Sequence, residues 1–414
     1  MRPDLYAAAH GEGAERGLSM PGPLEGVRVV DLTMNVLGPM ATQLLGDYGA
    51  EVIKVEAPGG DPVRQIGPCR TTAMGSYFLN LNRNKKSVVL DLKRPAARAA
   101  LLKLIEAADV FVHNLRPGAI ARLGLDYPSL ARLNPRLVYG SGTGFRATSS
   151  RRDVPAFDDV MQGQCGLAVL NGVGGEPRYV PTVIADKFCG HTLASAIGMA
   201  LYHRERTGRG QEVHVPMMET MLAFTLIEHL WGASIGEPDR GLGYPRMLSP
   251  HRRPYPTLDG HICLLANTDE QWRRLFAVIG QPELIDDPRF STLRERANNI
   301  DALYGLVRMA MRERSTAEWR QRLDGADLPN GPANSVADLL ADDYLAETAF
   351  FTEHEHPVEG RLVMMAVPVT FSGSPTTLPR LPATLGQDTA AVLHAAGLDA
   401  AAVADAIGED AHAG

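Results

Sequence analysis

Cysteine is scarce in this chain of 414 residues: there are four, at positions 69, 165, 189 and 263, and no two stand at CxxC spacing. That excludes a zinc ribbon or a thioredoxin-type pair and predicts reduced, buried thiols. Positive charge is in deficit as well. Lys and Arg number 41 against 48 Asp and Glu, a formal net charge of −7. This argues against a nucleic-acid binder, because phosphate affinity needs clustered cations. A local basic pocket for one phosphorylated ligand stays compatible with it. Residues 1–22 are rich in Ala, Gly and charge and have no apolar stretch. A signal peptide or spanning helix is thereby excluded there, no membrane association is expected, and a cytoplasmic location is the expectation. The segment is predicted to be a disordered tail, with Met20 a second candidate start.

Chemical motifs are missing too. No Walker A, GxSxG or HExxH string occurs. Gly140-Ser-Gly-Thr-Gly-Phe145 reads as a Gly-rich turn after a strand, but Phe145 occupies the last glycine position of a dinucleotide fingerprint and no acidic residue closes the next strand. A nicotinamide dehydrogenase is therefore disfavoured. His354-Glu355-His356 is too closely spaced for two ligands on one helical face and reads as a solvated loop, so no metal is expected. There is no internal repeat or heptad run.

What is present is an ordinary globular composition, 45% hydrophobic and 21% charged, in a chain long enough for two domains. Apolar stretches at 27–32, 52–55, 87–92, 109–113 and 136–140 read as strands, with helical spacing at 38–48 and, after Pro95, at 96–108. Strand and helix alternate, which predicts an α/β fold with a Rossmann-like parallel sheet covered on both faces. A ligand crevice is expected beyond the carboxyl ends of its strands. Residues 187–206 read as a helix rich in Ala and Gly, suited to close backbone packing. The stretch 233–256 is loop-like. A smaller α/β domain is predicted next, with a strand at 261–265 and helices near 270–280, 298–313 and 316–323. The expected organisation is a tail at 1–22, a large domain at 23–232, a linker and small domain at 233–345, and a return to the large domain at 346–414.

The chemistry centres on Asp186, in Val183-Ile-Ala-Asp-Lys-Phe-Cys-Gly190 at the start of the small-residue helix. An aspartate carboxyl ordinarily titrates at about pH 3.9, so it is ionised at neutral pH without a general base and can attack a thioester directly. The positive end of the helix favours an anion there. A structural N-cap uses the same geometry, and local sequence does not separate the two roles.

Longer strings carry a resemblance. They are Pro23-Leu-Glu-Gly-Val-Arg-Val-Val-Asp-Leu32, Gly49-Ala-Glu-Val-Ile-Lys-Val-Glu56, Asn82-Arg-Asn-Lys-Lys-Ser-Val-Val-Leu-Asp-Leu-Lys93, Asn114-Leu-Arg-Pro-Gly118 and Arg206-Thr-Gly-Arg-Gly-Gln211 with Glu219. In order and spacing, over most of 23–405, the chain resembles the family III CoA-transferases. The resemblance implies an interlocked homodimer that moves CoA from an acyl-CoA to a free carboxylic acid, with Asp186 as the acyl-accepting residue. Coenzyme A enters as the acyl-CoA substrate. By position, Asn35 and Val36 line the acyl end, Asn84, Lys85, Asn114, Leu115 and Arg116 reach the nucleotide, and Arg122 takes a nucleotide phosphate.

Departures from the family narrow the reading. The formyl-CoA transferase branch has Gln where this chain has Val36, a Lys and a Tyr where it has Thr143 and Phe145, and a tetraglycine loop that is missing here. Related 2-methylacyl-CoA racemases use a His directly before an Asp. Here that pair is Phe157-Asp158, and a phenyl ring has no titratable proton for two-base exchange. A CoA-binding protein without activity is the remaining alternative. Arg146, Arg151, Arg152, Arg178, Arg252 and Arg253 are candidates for a second carboxylate of a dicarboxylic substrate such as succinate.

Overall fold

The computed structural model describes residues 22–376, 378 and 380–408. The tail expected at 1–22 therefore lies, apart from Gly22, outside the described residues. The described chain divides into two compact units, one of 22–141, 190–213 and 352–408, the other of 142–189 and 214–351. The boundary expected at 232 is thus displaced. Within the second unit, the Thr225 hydroxyl donates to Cys165 Sγ at 3.8 Å, and the Phe188 and Phe224 rings lie 4.5 Å apart.

The first unit is built on six strands, β1 (Arg28–Leu32), β2 (Glu51–Glu56), β3 (Lys85–Val89), β4 (Val110–His113), β5 (Val138–Thr143) and β6 (Glu212–Pro216), in the order β3-β2-β1-β4-β5-β6. Neighbours among the first five run parallel, as the alternation predicts. β4 and β5 are buried at every residue, the pattern of strands covered on both faces. The order reverses between β1 and β4, which makes the loops after these two strands the topological switch point.

Helices α1 (Leu37–Asp47), α2 (Pro95–Glu106) and α3 (Pro117–Arg122) follow β1, β3 and β4. Both α2 and α3 start with proline, whose missing N–H costs nothing in a first turn. One core packs Val30, Ile53, Val88 and Phe111 of the sheet against Leu101 and Leu104 of α2 and against Leu393 and Ala406 from two late helices. Each fully buried side chain of this size contributes about 1.5–3 kcal/mol.

In the second unit, α4 (Asp158–Gln164) and α6 (Met217–Thr225) accompany the first turns of a long helix, α5 (Ile184–Thr207). A separate core gathers Trp272, Phe276, Leu303, Tyr304 and Trp319 from α7 (Asp269–Val278), α8 (Ile300–Met311) and α9 (Thr316–Gly325). Capping boxes at Thr268 with Gln271 and at Ser315 with Glu318 start α7 and α9. An antiparallel sheet orders β7 (Tyr255–Pro256), β8 (His261–Leu264) and β9 (Asn330–Pro332).

Three local expectations are corrected. Gly140–Thr143 is not a turn: β5 runs through it, because a Cβ at Gly140 would stand 2.9 Å from Ile197 Cδ1, and glycine lets α5 press on the strand. The small-residue character of α5 has the same cause at Gly190, where a Cβ would lie 2.7 Å from the Leu37 carbonyl oxygen. His354-Glu355-His356 ends β10 (Phe351–His356) rather than forming a loop. Its His356 is buried, bonded through Nε2 to the Pro382 carbonyl at 2.9 Å. All four cysteines are free, but only Cys165 and Cys189 are buried; Cys69 and Cys263 are exposed. No helix of the described residues is long and apolar enough to cross a membrane.

Candidate active site

Asp186 is the third residue of α5, inside the helix and not its N-cap. The Val183 carbonyl accepts the first helical bond, from Lys187 N–H at 3.1 Å. The first N–H groups of a helix have no intrahelical acceptor. One of them, that of Asp186, donates to Asp158 Oδ1 at 3.0 Å. Asp158 opens α4, is 5% exposed, and takes a second bond from Gln162 Nε2 at 2.6 Å through Oδ2. Gln162, one turn on and fully buried, accepts Val180 N–H at 2.9 Å. A polar i, i+4 pair on α4 thus clamps the segment that leads into Asp186.

The electrostatics revise a sequence expectation. Burial, followed by the negative charge of Asp158, pushes the Asp186 carboxyl up to about 7. It is therefore only partly ionised at neutral pH in the free protein, and at that pH can serve as a nucleophile or carry a proton. The neighbouring thiol is no rival: burial, helped by Asp186, pushes Cys189 up to about 12, so it stays protonated. Phe157, just before Asp158, is 66% exposed and offers only a phenyl ring where a racemase base would stand. At the end of β5, Thr143 pairs with His214 Nε2 at 2.8 Å, and Arg146 with Glu219 at 3.2 Å. Phe145 is buried, with the Arg151 guanidinium 4.1 Å from its ring centroid.

In the first unit a crevice of about 240 Å³ lies beyond the strand ends, lined by Met34 after β1, Gly60 and Asp61 after β2, Asp91 and Lys93 after β3, and Leu115 after β4. The switch-point loops are stapled together. Asn114 Oδ1 accepts Met34 N–H at 3.0 Å, and its Nδ2 donates to the Met34 carbonyl at 2.7 Å. Asn35 holds a left-handed φ of 64° and gives its N–H to Asp61 at 3.1 Å. Val36, the N-cap of α1, is buried beside it. Beneath runs a layer of buried ion pairs, Lys54 with Asp61 at 2.8 Å, Arg64 with Glu56 at 2.7 Å and Lys85 with Asp31 at 3.2 Å. These rows of fixed charge order the loops that form the crevice wall.

Residues 24–389 match the profile of CoA-transferase family III. The chain belongs to this family. It is 34% identical over 395 residues to a probable fatty acyl-CoA transferase of Mycobacterium tuberculosis, covering 90% of this chain and 97% of the relative. It is 37% identical over 361 residues to the acetyl-CoA:oxalate CoA-transferase of Acetobacter aceti, covering 85% and 90%. Mouse succinyl-CoA:glutarate CoA-transferase is 32% identical over 376 residues, covering 90% and 86%. Among solved structures, a CAIB/BAIF family protein from Brucella suis superposes with a TM-score of 0.78 at 29% identity, covering 91% of this chain and all of that one. This chain is thus a CoA-transferase, and CoA thioesters are its substrates.

Within that family, the expected CoA contacts sort by position. Leu115 lines the crevice, and Asn35, Val36 and Asn114 shape or flank it. Arg116 caps α3, and Arg122 ends it exposed, with no ion pair among the described residues. Asn84 and Lys85, expected at the nucleotide, do not line this crevice. They sit at the amino end of β3, the end opposite the crevice. Lys85 is 2% exposed and its ammonium is held by Asp31, Thr42, Asn82 and the Pro39 carbonyl. Asn84 Nδ2 is bonded to Asp47 at 2.8 Å. The lysine the crevice presents is Lys93, exposed and free of ion pairs among the described residues. Its signal in the sequence was the rule that ligands meet the ends of parallel strands. Asp158 was marked in the sequence only as part of the Phe157-Asp158 pair, and Gln162 carried only its i, i+4 spacing from it.

Proposed function

We propose that this CoA-transferase works through covalent intermediates on Asp186. An ionised Asp186 oxygen attacks the donor thioester carbonyl. The C–S bond breaks, CoA thiolate leaves, and a mixed anhydride forms. The thiolate then attacks the aspartyl carbonyl, which releases the donor acid and leaves an aspartyl–CoA thioester. The acceptor carboxylate displaces that thiolate, forming a second anhydride, and the thiolate attacks the acceptor carbonyl to give the product thioester and free Asp186. No net proton is consumed. The observation that carries this reading is the position of Asp186: a carboxyl within the first turn of a helix, not used as a cap, and raised to about 7 by burial and by Asp158. The stapled crevice fits a CoA nucleotide, with Lys93 and Arg122 as exposed, unpaired cations for its phosphates.

Relatives named for glutarate, oxalate and citramalate point to a dicarboxylic acid as acceptor. Exposed Met199 and Tyr202 on α5 are apolar surface that a second copy would cover in an interlocked dimer. Phe157 favours transfer over racemisation, because a second base is missing at that position.

The test is to incubate the enzyme with an acyl-CoA, quench with hydroxylamine or borohydride, and map the peptide carrying Asp186 by mass. The adduct is expected on 183–190 in the wild type and not in Asp186→Asn, which should lose nearly all transfer because an amide is a far poorer nucleophile. An unmodified peptide during turnover refutes the mechanism.

A further inference from the structure

The second unit holds a larger concavity that the proposed chemistry has not used. It measures about 570 Å³ and is lined by Arg252, Arg253, Tyr255, Leu264, Tyr304 and Asn330, among others. Two arginines, Arg252 and Arg253, line it, and two more, Arg246 and Arg308, act electrostatically, with Arg252, on the hydroxyl of its Tyr255. Among the described residues none of the four forms an ion pair with a carboxylate. Arg246 is held by neutral acceptors, the Tyr304 hydroxyl at 2.7 Å, Asn267 Oδ1 at 2.8 Å and the Ala266 carbonyl at 3.0 Å, so its charge is oriented but not neutralised. Arg252 and Arg253 make no side-chain hydrogen bond within the described residues.

The six arginines singled out from the sequence now separate. Arg146 is committed to Glu219, Arg152 to Asp153, and Arg151 to Gln164 and the Phe145 ring. Arg178 does not line the cavity. Arg252 and Arg253 remain, side by side, next to the apolar surfaces of Pro254, Leu264 and Leu265. Two free forks beside an apolar wall suit a carboxylate on a short hydrocarbon body.

We propose that this cavity is a carboxylate-binding site that takes the distal carboxylate of a short dicarboxylic substrate, as the free acid or as its CoA half-thioester. The assignment rests on the transferase reading above, and its test separates the two. The full chain without CoA is titrated calorimetrically with glutarate, valerate and inorganic phosphate, for the wild type, R252Q/R253Q and R252K/R253K. Glutarate should bind about 10- to 100-fold more tightly than valerate, the range for a charged hydrogen-bonded pair. R252Q/R253Q should lose that margin, and R252K/R253K should keep part of it. In steady-state transfer, the preference in kcat/KM for succinyl-CoA over butyryl-CoA, and for glutarate over valerate, should fall by the same factor in R252Q/R253Q. The first comparison reads the thioester and the second the free acid.

Glutarate affinity unchanged in the Gln variant, no saturable binding to the wild type, or phosphate binding more tightly than glutarate would each overturn the site. Glutarate binding that depends on both arginines, in a protein that transfers CoA to no acid, would overturn the reaction and leave the site standing.

Discussion

Replacing Asp186 by Asn should stabilise the protein, and should do so only above mildly acidic pH. An aspartate carboxyl titrates near 3.8 in an unfolded chain, and burial with Asp158 raises it to about 7 here. The folded state then holds a proton that the unfolded state has released. Below pH 4 both states are protonated and the site costs nothing. Between about pH 4 and 7 the wild type loses stability as the unfolded chain ionises, and above 7 the penalty is constant. A shift of this size corresponds to a ceiling of about 4 kcal/mol. Asp186 keeps some exposure to solvent, so roughly 2–4 kcal/mol is the expected gain for Asp186→Asn at pH 8.5, with less than half of it at pH 5.

The amide keeps the backbone N–H that bonds Asp158, so local geometry is preserved. Urea unfolding of both proteins at pH 5 and pH 8.5, compared at constant m-value, reads the difference directly. An equal midpoint for the two proteins at pH 8.5, or a gain that does not grow with pH, refutes the claim that Asp186 sits in a site hostile to its own charge.

The same titration should set the rate. In the proposed mechanism transfer needs the ionised carboxylate, so kcat/KM is expected to climb with pH and level off above about 7, the value burial and Asp158 impose. Asp158→Asn keeps an acceptor for the Asp186 N–H but removes the charge, so the acidic limb should move to lower pH; an unmoved limb removes Asp158 from the electrostatics. Lys85→Met strips the buried Asp31 of its partner and should cost about 3–5 kcal/mol in chemical denaturation. Lys93→Ala, on the crevice wall, should leave stability within about 0.5 kcal/mol and raise the KM for acyl-CoA. In deuterated buffer, a 2-methylacyl-CoA should show negligible exchange at its α-carbon, read by mass; rapid exchange would reinstate the racemase reading despite Phe157.

Legibility divided along a physical line. Local period and strand-helix alternation are properties of neighbours in sequence, so β1, β2, β4, α1 and α2 were readable within a few residues. β6 escaped because five residues, Glu212–Pro216, give too short a pattern to stand out after a Gly-rich turn. Pairing across the chain was not readable. Lys85 and Lys86 form an exposed-looking doublet, yet Lys85 is buried on Asp31, 54 positions away, while Lys86 reaches the half-exposed Glu51. Asp186 stood out through the strings around it. Its ionisation did not, because the residue that raises it, Asp158, lies 28 positions upstream and meets it only when α4 packs under the start of α5.

That unreadable contact bears on why the reaction would run. In the proposed mechanism, forming the anhydride on Asp186 replaces a negative oxygen with a neutral acyl oxygen. The charge that burial and Asp158 oppose disappears in that step, so acylation relieves the same penalty that protonation relieves. Above pH 7 the penalty reaches roughly 2–4 kcal/mol, about thirtyfold to a thousandfold in an equilibrium constant. An aspartate of ordinary acidity would be a weaker base and a poorer nucleophile, and nothing would be gained by neutralising it. A carboxyl with a much higher pKa would be protonated and silent at neutral pH. A value near 7 lies where both losses are small. The prediction is therefore that Asp158→Asn, besides shifting the pH profile, lowers the plateau rate of acylation above pH 8, measured by rapid quench of the CoA thiolate burst. A plateau that rises or stays level in this variant would mean that the acidic neighbour contributes only a cap to α5, and that the raised carboxyl is a by-product of burial.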